Sequence, residues 1–204
     1  SGSFTITSTG VDTFTIVVTS LGTSTGTVTH ENYTFKDDFN YKSLLNTLVT
    51  DNYSAPPDGL QGLVVIQNNF LAGFVGNDLY FSEPNNFHAW PTTYKRSFES
   101  TIVGLAVIGG TVLVLTESYP YILSGSDPSI MAQERLTALY PCLSRRSIAS
   151  TSYGIVWATH DGLAIYTTSG TPQLLTRVVH SSDTWNADLD PATLVGSVYK
   201  DTYF

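Results

Sequence analysis

From residue 60 onward, apolar residues come in short runs of five to seven, separated by Gly, Asn, Asp and Ser, and the order of the runs repeats. An apolar run, a tight turn, a second run, another turn and a third run ending in small polar residues occupy Gly62 to Ser82, then Gly104 to Ser124, then Ser147 to Thr167. The third runs align at Phe81, Leu123 and Ile165, two steps of 42 residues. The second runs, at Phe70, Val112 and Gly154, keep nearly the same beat. Runs this short, bounded by turn formers, predict strands. A repeat of about 40 to 50 residues made of short strands predicts small four-stranded sheets that bury their faces only against neighbours, as in a β-propeller.

The expected strands of the first sheet lie near 62–67, 70–75, 78–82 and 94–99; of the second, near 102–108, 111–117, 119–124 and 134–140; of the third, near 147–151, 154–159, 163–168 and 172–179. The blades they define span roughly residues 60–100, 101–143 and 144–190. Val195 to Phe204 resembles the openings at Gly62 and Gly104, so a fourth blade is expected to begin within 191–204. A blade that begins without finishing predicts a segment of a longer polypeptide or an open arc, with apolar faces and strand edges that invite partners.

The first 55 residues follow a different pattern. Residues 4–29 alternate apolar with Thr or Ser between Gly10, Gly22 and Gly26, predicting half-buried antiparallel hairpin strands. Tyr41, Leu44, Leu45 and Leu48 have helical spacing, predicting a short helix over 39–49, and the stretch Asn52 to Gly59, with Pro56 and Pro57, ends it. The expected organisation is therefore a β-rich element over 1–55 and a propeller segment over 56–204, all-β as a whole.

Composition supports this. Only 13% of the 204 residues are charged, and Thr, Ser, Tyr and Gly are abundant, which suits strands and turns. A net charge of −8 with only nine Lys and Arg argues against tight nucleic-acid binding, since that affinity comes from cations displacing counterions. An acidic surface can still line a conduit along which DNA slides. The single Cys142 forms no intrachain disulfide and reads as a small buried hydrophobe. No apolar run approaches the length of a membrane span, and no secretion signal opens the chain.

No catalytic constellation stands out, and no catalytic, cofactor-binding or metal-binding residues are assigned. Glu83, Glu117, Asp127 and Asp161 fall at strand ends, where a facing carboxyl pair for glycoside hydrolysis could form, although Asp161-Gly162 and Asp127-Pro128 are first of all turn signals. His30, His88, His160 and His180 lack the spacing of a zinc site. Ser181 to Trp185 partly matches the Asp box of sialidase-type propellers but lacks its Gly. Asn32 and Asn52 open N-glycosylation sequons of little weight. Trp90, Trp157 and Trp185 could stack on sugars or fill the core, with Trp157 placed in the core by its inner-strand position. Ser82-Glu83-Pro84 and Ser126-Asp127-Pro128 end equivalent strands before a proline, Trp90-Pro91 can plug the space between blades, and Arg145-Arg146 precedes an inner strand from which a guanidinium could reach a neighbouring blade.

The stretches Phe81 to Pro91, Pro120 to Pro128, Cys142 to Ser147 and His160 to Leu163 together resemble virion structural proteins of tailed bacteriophages. In particular they look like the propeller-bearing tail hub and nozzle proteins, also called tail tubular or DNA-stabilisation proteins, of short-tailed phages. The resemblance covers roughly residues 56–204. It implies a non-enzymatic part of the virion tail, present as a homo-oligomeric ring around the DNA channel, with an adaptor or portal and tail fibres or spikes as partners and no cofactor. Proteins of that family are much longer than this chain, and the Thr-rich N-terminal segment lies outside the resemblance. A carbohydrate- or protein-binding propeller module and a glycan-degrading propeller enzyme are the alternatives.

Overall fold

The computed structural model describes residues 5–10, 13–17, 53–67 and 69–204. The chain divides into two compact units, Ser1–Val49 and Thr50–Phe204. In the first, β1 (Thr5–Gly10) pairs antiparallel with β2 (Thr13–Val17), with a bulge between Ser8 and Gly10, as the alternation predicts. The predicted 39–49 helix, His30 and the two sequon asparagines lie outside the described residues.

The second unit contains three four-stranded antiparallel sheets, each with its strands in chain order. The first comprises β3 (Gln61–Ile66), β4 (Phe70–Val75), β5 (Asp78–Phe81) and β6 (Arg96–Ser97). The second comprises β7 (Ile102–Ile108), β8 (Thr111–Thr116), β9 (Tyr121–Ser124) and β10 (Ala132–Arg135), and the third β11 (Ala149–Ser150), β12 (Ile155–Thr159), β13 (Gly162–Tyr166) and β14 (Gln173–Leu174). Beyond them are α1 (Ser182–Asp188), the one α-helix among the described residues, and a two-stranded ribbon of β15 (Val198–Tyr199) and β16 (Thr202–Tyr203). The fold is all-β.

Tight turns set this order. Gly109 and Gly110, with φ of 55° and 80°, join β7 to β8 in the doubly left-handed conformation that matches strand twist. A bulge interrupts the first strand of each of the first two sheets at a nearby position, between Gln61 and Val64 in β3 and between Ile102 and Gly104 in β7. The repeat is thus one of backbone irregularities as well as apolar runs.

The sheets stack through two apolar layers. Between the first and second lie Ile66, Phe70, Phe74, Leu79 and Phe81 from one side and Leu105, Val112, Val114, Tyr121 and Leu123 from the other. Between the second and third lie Ala106, Leu113 and Leu115 facing Ile155, Trp157, Ala164 and Tyr166, with Leu136 and Cys142. The inner strands of the second sheet are apolar on both faces because they are covered on both, which is why they read as nearly unbroken apolar runs, whereas the outer β10 is exposed along its length.

The structure corrects the register of the repeat. Phe81, Leu123 and Ile165 all lie in third strands, but they do not share a face. Phe81 points forward, toward the second sheet, and Leu123 points backward, toward the first. Ile165, opposite Val156, lies on the side of the third sheet away from the second. The forward-facing residue of the second sheet is Ile122, opposite Leu113. The turn at Gly109-Gly110 is one residue shorter than its counterpart at 67–69, so the matching second and third strands lie one residue earlier than a uniform 42-residue step places them. In a strand, one residue is the difference between two faces.

Outer strands are also shorter than expected. The fourth strand of the third sheet, expected over 172–179, is only Gln173–Leu174, followed by a 3-10 turn at Thr176–Val178. There the Thr176 hydroxyl, not a backbone carbonyl, accepts the Leu163 amide at 3.0 Å, and this ends the ladder. Among the described residues no helix is long and apolar enough to cross a membrane.

Candidate functional site

The carboxylates fall at opposite ends of the sheets. Glu117 and Asp161 sit exposed in the turns between second and third strands. Glu83 and Asp127 follow the third strands at the other end, and both carboxylates lie close enough to the Tyr94 phenol to act on it electrostatically. Burial first, then the neighbouring Glu83 and the charge on Asp127, push the Tyr94 phenol up.

This rim cluster is built from local turns. Ser82 is fully buried, and its hydroxyl accepts the Leu71 amide at 2.8 Å, closing the end of β5. Asp127 caps the 3-10 turn Pro128–Ile130, accepting from the Ser129 amide at 2.9 Å and from the Ser129 hydroxyl. Those bonds hold the Asp127 carboxyl below the usual carboxylate range. A glycosidase acid needs the opposite, a carboxyl kept protonated by an environment hostile to charge. Asp127 is therefore suited to shaping a turn, not to giving up a proton.

Arg96, which the sequence does not mark out, ties the first two sheets at this rim. Its guanidinium donates to the carbonyls of Pro128 at 3.3 Å and Ser129 at 3.1 Å. Tyr53 and His88 meet edge to face nearby in the chain's fold, with ring centroids 5.8 Å apart.

A second feature lies where the first strands of the sheets converge. An open cleft of about 200 Å³ is lined by Gly62, Gly104, Leu105, Arg145 and Ile148, among others. Arg145, at the entry to the third sheet, donates to the Gln61 side-chain carbonyl at 3.2 Å and places its guanidinium 5.7 Å from the centre of the Phe74 ring. The arginine thus reaches another sheet, although the first and not the neighbouring second that the sequence predicts, through an amide and an aromatic face. Gly104 permits the approach, because a Cβ there would stand 2.3 Å from Ile148 Cδ1. Ser147 holds the equivalent place in the third sheet. It is fully buried, with its hydroxyl bonded to Ser144 O at 2.7 Å and to the Ala158 amide at 2.9 Å.

All three tryptophans are buried, which removes them as a sugar-stacking platform. Each indole N–H is satisfied by a carbonyl: Trp90 by Phe87, Trp157 by Tyr140 and Trp185 by Thr159, at 3.0, 3.1 and 3.0 Å. Trp157 sits in the layer between sheets as expected. Trp90 instead packs at the rim, its amide donating to Ser54 O at 2.9 Å, and belongs to neither inter-sheet layer. Ser181 to Trp185 forms no Asp-box turn: Ser181 caps α1, accepting the Thr184 amide at 3.3 Å. Cys142 is buried, its thiol pushed up to about 12 by loss of solvent, and is suited to packing and not to nucleophilic attack. Among the described residues no three His, Cys, Asp or Glu side chains are grouped as metal ligands.

The chain matches no protein-family model and no curated protein.

Proposed function

We propose that this chain is a structural segment of a tailed-phage virion, hub- or nozzle-like, whose stacked sheets are blades of a β-propeller and whose work is to be stiff. The observation that carries the mechanical part is the second sheet, packed on both faces, with Arg96 tying it to the first sheet and Arg145 tying the third sheet to the first. Ser82, Arg96, Asp127 and Arg145, at the sheet ends, are engaged in turns, caps and inter-sheet ties, which is the hardware of a scaffold. The assignment to a tail rests on the resemblance of Phe81 to Pro91, Pro120 to Pro128 and Cys142 to Ser147 to tail proteins. The net charge of −8 suits a wall past which DNA slides without adhering.

The test is location. Antibody raised against the folded chain should decorate the tails of purified particles in electron microscopy, and peptides of the chain should appear in the particle proteome. Particles that carry neither label nor peptide would overturn the proposal. A glycan panel addresses the enzymatic alternative: turnover lost on Glu83→Gln and Asp127→Asn would replace the scaffold with a hydrolase.

A further inference from the structure

We draw no further inference here: the strongest candidate, the open cleft where the first strands of the three sheets converge beneath the Arg145 guanidinium, carries nothing, because Gln61 and the Phe74 ring already hold that guanidinium and nothing in the structure shows what covers the cleft.

Discussion

The two faces of the second sheet are buried by different means. Toward the first sheet, many medium and large side chains share the work, and aromatic pairs meet edge to face, Phe70 with Phe81 at 6.0 Å and Phe98 with Tyr121 at 4.9 Å. Toward the third, Trp157 is the largest side chain and lies with Tyr166 among Ala106, Ala164, Cys142 and aliphatic neighbours. A layer of many comparable contacts loses little when one is trimmed. A layer in which one large ring fills much of the space among small residues loses more when that ring is removed.

Trimming each layer in turn should expose that difference. Trp157→Ala should cost about 3–5 kcal/mol, because it leaves a large cavity and strips Tyr140 O of its donor, whereas Phe70→Leu should cost less than about 1.5 kcal/mol. Urea unfolding of the two variants checks this, and equal losses would erase the contrast.

Overfilling is the next test. Gly104→Ala should cost about 1–3 kcal/mol, because its Cβ meets Ile148 Cδ1, the tip of a side chain, and Ile148→Val in the same chain should recover part of that loss. Thermal melts of both variants give the coupling. Additive losses would mean that the collision is not where the strain lies.

Cys142 then reports on the second layer directly. With its thiol buried and pushed up to about 12, labelling by a thiol reagent at pH 8 should be far slower than in the unfolded chain, and Trp157→Ala should accelerate it while Phe70→Leu should not. Equal labelling rates in the two variants would unlink Cys142 from that layer. A smaller effect belongs to Arg145→Ala, expected to cost about 0.5–1 kcal/mol at its exposed position, measured by the same urea unfolding.

The smallest effect is a pH dependence in the first sheet. The hydrogen bond from Lys95, then that from Ser97, holds the Asp78 carboxyl below its ordinary value, with Lys95 Nζ 2.8 Å from Asp78 Oδ2. A carboxyl depressed in the fold contributes stability that is complete above the unfolded value of about 3.9 and is lost as pH falls through the lower folded value. Asp78→Asn should flatten the wild-type slope in that window, and an unchanged slope would assign it to other carboxyls.

Much of this architecture is legible in the chain because stacked sheets write themselves as apolar runs. The innermost strands of the first two sheets lie within a residue or two of where Val, Ile, Leu and Gly place them. Outer strands are legible only as far as backbone partners persist, and a side chain such as Thr176 can end a ladder without leaving a pattern. The rim is less legible still. Glu83 and Asp127 are visible as strand-end acids, but Tyr94, which lies near both, and Arg96, which ties the first sheet to the Asp127 turn, come from a connection with no periodicity.

What the sequence alone determined is the existence, order and kind of the strands, because hydrophobic alternation and turn residues act over a few positions. Which residues face one another was decided by tertiary structure. A turn one residue shorter moves Leu123 from one face to the other without altering its neighbours in the chain, and only the packed sheet registers the change. The long reach of Arg145 to Gln61 and Phe74 is of the same kind, since it depends on where three sheets converge and on nothing local to Arg145 itself.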